Sequence, residues 1–244
     1  MNLSCVVIAL AVGLATPVSV SAEEIRIGAR DAPSPRYMTV PTLIEAYDRA
    51  GVDMALQFLP SKRVLYEFET RTVDAVVARV FSLPNRISGI VRVTPAINHA
   101  QIRVYTRFGS DVQIETPQDL AKYNVTIPRG SIIVSETTKL AKSTVPVQNY
   151  AQMLELLLAG RVDAIVGARV GVEIAVARKG FTSPLQMLDI VLADEPLYHY
   201  VDARFADEAL LVSQELQKMH DSGELQKMHD AGWLKLLGDA ARGT

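Results

Sequence analysis

Apolar positions along residues 23–244 follow two rhythms, short alternating runs and longer helical stripes. Glu24 to Ala29, with Ile25 and Ile27 set against Arg26 and Gly28, predicts a first strand. Val40 to Ala50 carries Leu43, Ile44 and Tyr47 on one side and predicts a helix closed by Gly51. Val52 to Phe58 alternates again, Met54, Leu56 and Phe58 against Asp53, Ala55 and Gln57, and predicts a second strand. Pro60 opens a helix over Ser61 to Thr70 with apolar Val64, Leu65 and Phe68, and a third strand follows. This β-α-β-α-β succession is the pattern of a doubly wound sheet.

That third strand is written twice. Val73-Asp74-Ala75-Val76-Val77-Ala78-Arg79 returns as Val162-Asp163-Ala164-Ile165-Val166-Gly167-Ala168-Arg169. Each copy follows a helix, the second over Tyr150 to Ala159 with Met153, Leu154, Leu157 and Leu158. Arg71-Thr72 and Gly160-Arg161 make the turns. Neither strand alternates with polar residues, so each is expected to be buried on both faces of a parallel sheet. In open parallel sheets ligands sit outside the carboxyl ends of the strands. Arg79 and Arg169 are expected to emerge there, across a cleft between two α/β lobes.

Between the copies, Phe81 to Ser88 predicts a loop or short helical turn and Ile90 to Val93 an extended piece. Gln101 to Thr106 predicts a strand crossing between lobes. Thr116 caps a helix with Pro117 at its first position. Tyr123 to Pro128 is a further strand, and Arg129-Gly130-Ser131 turns into a helix over about 132–142. Val145 to Val147 is a strand, Val170 to Arg178 a helix, and Leu188 to Leu192 the second crossover. A second repeat closes the chain: Glu215 to Asp221 recurs as Glu224 to Asp230. Nine residues is 2.5 helical turns, so one unbroken helix would put the copies on opposite faces. Ser222-Gly223 predicts two packed helices instead.

Composition adds limits rather than elements. Net charge is −2 over 244 residues, so no basic field argues for nucleic acid. Cys5 to Ala15 is an apolar run too short to span a bilayer. Val20-Ser21-Ala22 is a small-x-small cleavage site, and residues 1–22 are expected to be a signal peptide removed after Ala22. A lysine or arginine before the apolar run is missing. The one cysteine, Cys5, would leave with that leader, so the mature chain carries no cysteine chemistry. His99, His199, His220 and His229 show no metal spacing, and packing or surface roles are expected for them. No cofactor is implied. Asp74 and Asp163 open their strands, where turn capping is expected ahead of catalysis.

Several segments in order resemble bacterial extracellular solute-binding proteins of family 3, the amino-acid-binding type. They are Asp74-Ala-Val-Val with Arg86 twelve residues on, Val93-Thr-Pro95, Thr116-Pro-Gln-Asp-Leu120, Ile127-Pro-Arg-Gly-Ser131, Leu156 to Ala164, and Met219-His-Asp-Ser-Gly223. The resemblance implies an α/β, two-lobed periplasmic-binding-protein-like fold (type II), two doubly wound lobes joined by two crossover strands. Lobe 1 would comprise 23–100 plus 194–244, and lobe 2 101–193. It implies Arg86 as the anchor of a ligand carboxylate. The chain departs from the family where an ammonium would be held: Ala168 beside Arg169 stands at the usual acidic position. Ala78, Arg79 and Phe81 replace small hydroxylated residues, and the hydroxyl pair of lobe 2 is reduced to Ser131 before Ile132.

The candidate ligand residues are therefore Tyr37, Arg79, Phe81, Arg86, Gly130, Ser131 and Arg169. Each has an alternative. Arg86 is either a cleft ligand or a solvated loop charge. Arg79 and Arg169 are either ligand contacts or structural ion pairs, with Asp31 and Glu67 as candidate partners. Gly130-Ser131 offers free N–H groups at a helix start. Phe81 and Tyr37 form either a stacking wall or core. The expected activity is capture of a small anionic, carboxylate-bearing solute by a monomer. It would hand the solute to an inner-membrane transporter permease or to a sensor. A secreted dehydratase-like enzyme on the same fold is the other reading; no Ser-His-Asp order or Gly-x-Ser-x-Gly supports it.

Overall fold

The computed structural model describes residues 23–180 and 185–243; the expected leader, residues 1–22, lies outside the described residues. In chain order the elements are β1 (Ile25–Arg30), α1 (Val40–Ala50), β2 (Met54–Leu59), α2 (Ser61–Glu69), β3 (Ala75–Val80) and the long β4 (Ile90–Arg107). Then come β5 (Asn124–Pro128), α3 (Ile132–Thr137), β6 (Ser143–Val147), α4 (Tyr150–Leu158), β7 (Ala164–Ala168) and α5 (Arg169–Arg178). The chain closes with β8 (Leu185–Asp202), α6 (Ala206–Asp221) and α7 (Glu224–Arg242). The described strands make one sheet in the order β2-β1-β3-β8-β4-β7-β5-β6. Both flanks are parallel, β2-β1-β3 on one side and β7-β5-β6 on the other. The antiparallel pair β4 and β8 joins them.

The repeated Val-Asp-Ala segments do the same structural work in both halves. Asp74 N–H donates to the Arg26 carbonyl at 2.8 Å, and Asp163 N–H donates to the Asn124 carbonyl at 2.8 Å. In return Asp74 Oδ2 accepts from Arg26 N at 3.0 Å, and Asp163 Oδ2 accepts from Asn124 N at 2.8 Å. Each aspartate thus clips the start of its strand to the strand beside it, β1 for β3 and β5 for β7. The turns before them match too. Gly160 and Arg71 each stand two residues past a helix end, with φ +67° and +60°. That region suits glycine and costs a side chain roughly 1–2 kcal/mol. Arg71 is held there by Asp202 (Nε to Oδ2, 2.9 Å) and the Ser88 carbonyl (2.8 Å).

Burial on both faces of these strands is as the unbroken apolar runs require. Ala75 and Val77 join a core with Ile25, Ile27, Leu43, Tyr47 and Leu216, while Val76 turns to the other side against Val64, Phe68 and Tyr200. In the far half Ala164 and Val166 pack with Val125 and Leu120, and Ile165 packs with Met153, Leu154 and Leu157.

The two crossovers are longer than the sequence pattern predicts, 18 residues each. At roughly 3.3 Å per residue each extends about 60 Å. Ile90 to Val93 and Gln101 to Thr106 are the two ends of one strand. Alternation fails between them at an irregularity: Val93 pairs with His199 and Asn98 with Leu197, leaving Thr94 to Ile97 opposite Tyr198 alone. The bulge turns Ile97 fully into the lobe 1 core, and Ser213 Oγ on α6 donates to the Thr94 carbonyl at 2.7 Å.

Two other expectations change. The helix after Ser131 stops at Thr137, because the Thr137 and Thr138 hydroxyls donate to the Val134 carbonyl (3.0 and 2.8 Å) and compete with the helical ladder. Arg169 opens α5 instead of ending β7. The tail forms two helices split at Gly223, φ +72°, as the repeat requires.

Candidate functional site

The parallel strands of both halves point their carboxyl ends at a shared gap. A cavity of about 540 Å³ opens there. One wall is Arg30, the last residue of β1, with Ser34 and Met38 of the following turn. The opposite wall is Ala168, Arg169 and Val170, where β7 passes into α5. The crossover strands form the back through Asn98, His99, Gln101, Asp194 and Leu197, and α7 roofs it with Leu225, His229 and Trp233.

Arg79 lies in the carboxyl half of β3, paired in register with Tyr198. Its Nη1 donates to the Ala78 carbonyl at 2.8 Å. Its Nε and Nη2 are shut from solvent and meet no acceptor among the described residues. Burial pulls the guanidinium pKa down to about 10, and the charge of Arg30 pulls it in the same direction. Arg30 makes no ion pair among the described residues. Its charge reaches the other lobe as well. Burial pushes the Tyr150 hydroxyl up, and the Ala168 backbone and the Arg30 charge oppose that push. Arg79 does not itself line the cavity; its charge lies behind that of Arg30, which does.

Arg169 faces Arg30 across the cavity from α5. Its Nε donates to Glu173 at 2.9 Å, and its guanidinium lies 5.0 Å from the Trp233 ring centroid on α7. The contact ties the two lobes together across the cavity. Arg169 thus makes a structural ion pair, with Glu173 as its partner, while lining the cavity. Asp31 and Glu67 pair with Arg36 and Arg63 instead.

Other candidates fall elsewhere. Arg86 donates through Nε to Glu69 at 2.7 Å, and its side chain is 60% exposed. Glu69 ends α2, at the amino end of β3, a strand's length from the gap. The loop after β3 doubles back along the lobe and carries Arg86 away, so it takes the solvated role and not that of a cleft anchor. Phe81 is half exposed; the Arg92 guanidinium sits 3.8 Å over its ring and Tyr198 meets it edge-on. Tyr37 turns to α7, where its hydroxyl donates to Asp239. It is a docking contact for that helix and forms no cavity wall. Gly130, at φ +82°, and Ser131 lead into α3, but Ser131 Oγ accepts from Val134 N at 3.4 Å and so occupies one of the N–H groups the turn was expected to offer.

Sequence reasoning missed Arg30, His229 and Trp233. Arg30 was legible, since the carboxyl-end rule that selected Arg79 and Arg169 applies equally to β1. Nothing local in α7 marks His229 or Trp233, because their position depends on how the tail packs. Among the described residues no group of three His, Cys, Asp or Glu is placed to hold a metal, and no helix is long and apolar enough to cross a membrane.

Two α/β lobes joined by a pair of crossover strands around a central gap define a periplasmic-binding-protein architecture. No family model matches the chain. It is 23% identical over 189 residues to an uncharacterised protein of Shewanella oneidensis, spanning 73% of this chain and 69% of that one. The fold is similar to that of a probable amino-acid ABC transporter extracellular-binding protein, YtmK, of Bacillus subtilis. There the TM-score is 0.69 at 17% identity, over 90% of this chain and 99% of that one. It is similar also to a histidine kinase sensor domain with similarity to periplasmic binding proteins, with a TM-score of 0.62 at 18% identity over 87% and 95% of the two chains. These likenesses show the fold, the two-lobed, type II periplasmic-binding-protein fold.

Proposed function

We propose that this chain is an exported, monomeric solute receptor. It closes on a small anionic, carboxylate-bearing molecule and presents it to an inner-membrane transporter. The observation that carries this reading is Arg30 and Arg169 facing one cavity from opposite walls, with the Arg79 guanidinium, two of its donors sealed from water and unpartnered, behind Arg30. A buried, unpaired charge is costly, and an anion between the lobes relieves it. Micromolar affinity needs about 8 kcal/mol, while one charge-assisted hydrogen bond contributes about 1.5–3 kcal/mol. One arginine is too little; Arg30 from one lobe and Arg169 from the other, with the charge of Arg79 behind Arg30, are sufficient once closure excludes water. Because those cations come from both lobes, an anion binds the closed form more tightly and shifts the population toward it.

The solved structures of this fold described above are a probable binding protein and a kinase sensor domain, which supports a binding role. The apolar leader with its Ala22 cleavage site supports export to the periplasm. A second reading, a sensing subunit of a membrane signalling protein, is favoured by the likeness to the kinase sensor domain. The two differ in the partner and share the site.

The test is a thermal-shift and calorimetric screen of the mature protein against carboxylates, other small anions, and cationic and neutral solutes. Carboxylates are expected to raise the melting temperature. Arg79→Met should weaken them by 10-fold or more. If only cationic or neutral solutes bind, or Arg79→Met binds carboxylates as tightly as wild type, the reading is wrong.

A further inference from the structure

The cavity is larger than a small anion needs. At about 540 Å³ it falls within the range of pockets that enclose drug-sized ligands. Its acidic groups are already engaged. Asp194 accepts from His99 Nδ1 at 2.7 Å and from Gln101 Nε2 at 3.1 Å, and Asp230 accepts from Gln226 at 2.9 Å. Arg30 stands exposed at one wall with no ion pair among the described residues, and under α7 the buried Nε2 of His229 has no hydrogen-bond partner there. Met38, Leu197, Leu225 and Trp233 line the same space. One charged end, an apolar lining and one isolated hydrogen-bonding atom are the features of a site for an extended amphipathic molecule.

We propose that the site takes an arylalkanoate, its carboxylate at Arg30 and Arg169, its ring in the chamber beneath α7 beside Trp233, and a ring hydroxyl meeting His229 Nε2. The proposal rests on the anion-receptor reading and names the ligand class for it. Trp233 and His229 are then specificity residues. They lie on a helix from the chain's tail, so the tail helps to choose the ligand as well as bracing the fold.

Titration calorimetry of the mature protein with propionate, succinate, 3-phenylpropionate and 3-(4-hydroxyphenyl)propionate tests this. The phenyl compound should bind at least 10-fold more tightly than propionate, and its hydroxyl should add a further 3-fold or more. Trp233→Ala should erase the phenyl preference, and His229→Phe should erase the hydroxyl gain. Ser34→Phe, which fills the chamber from the turn after β1, should erase the preference without touching α7, and serves if the α7 variants fold poorly. Equal binding of alkyl and aryl carboxylates, or a preference that survives both Trp233→Ala and Ser34→Phe, overturns the inference and leaves the anion reading standing. Failure of every carboxylate to bind wild type overturns both.

Discussion

His199 gives the chain a pH dependence that can be worked out in advance. It is fully buried where β8 passes β3. Its Nδ1 lies 2.8 Å from the Val76 carbonyl, which can only accept, so that nitrogen carries the proton. Nε2 must then accept from the Tyr47 hydroxyl at 2.9 Å. Burial pulls the imidazole pKa down to about 4, outweighing the backbone bonds at Val76 and Val77 that favour the charged form. The unfolded chain takes up this proton near pH 6.5, whereas the folded chain does so only near 4. Between those values the unfolded state binds more protons, so stability falls as pH falls. The loss from pH 7 to pH 5 is about 2 kcal/mol, and it levels off near 3 kcal/mol below pH 4. Asp74 and the other carboxylates held below their ordinary range titrate lower, so the window above pH 5 belongs mainly to histidine. Urea unfolding of wild type and His199→Gln at pH 7, 6 and 5 measures it. Wild type should lose about 2 kcal/mol more than the variant over that range, the slope that remains in the variant coming from His229, whose burial also lowers its pKa. Parallel slopes in the two proteins would refute the reasoning.

Three further outcomes follow from other contacts. Asp74→Ala strips Arg26 and Arg204 of a fully buried carboxylate and leaves the Arg26 N–H without its acceptor. Unfolding free energy should drop by about 3 kcal/mol, and a drop below about 1 would remove the strand clip from the account. A Cβ at Gly232 would stand 2.0 Å from the Tyr37 carbonyl oxygen, backbone against backbone. Gly232→Ala should therefore cost about 3 kcal/mol, read from the urea midpoint, and a neutral result would show that α7 does not dock so closely. Arg86→Ala should leave carboxylate affinity within 2-fold and cost no more than about 1 kcal/mol, as expected of an exposed pair with Glu69. A 10-fold loss of affinity would return Arg86 to the cleft.

Much of the architecture was legible. The unalternating runs after Asp74 and Asp163 marked strands buried on both faces, and Gly160 and Gly223 marked where helices end. The site was legible only in part. The place of Arg79 near the carboxyl end of β3 was legible, because a charged residue closing a buried parallel strand has few places to go. The two roles of Arg86 could not be separated in the sequence, because its spacing from Asp74 matches the family while the loop between them turns back toward Glu69. The duplicated tail makes the same point. In α6 His220 is exposed, whereas in α7 His229 is buried. Seven identical residues meet different surroundings because α6 packs on the lobe 1 core and α7 leans against the turn after β1 and against α5.

By itself the sequence determined the strands, the helices and their doubling, since each depends on the period of apolar residues within one short segment. Which charges share the gap, and which find partners elsewhere, only the tertiary structure decided. A side chain's electrostatic role depends on neighbours far away in the chain, and those neighbours are set by how loops return and how the last helix docks.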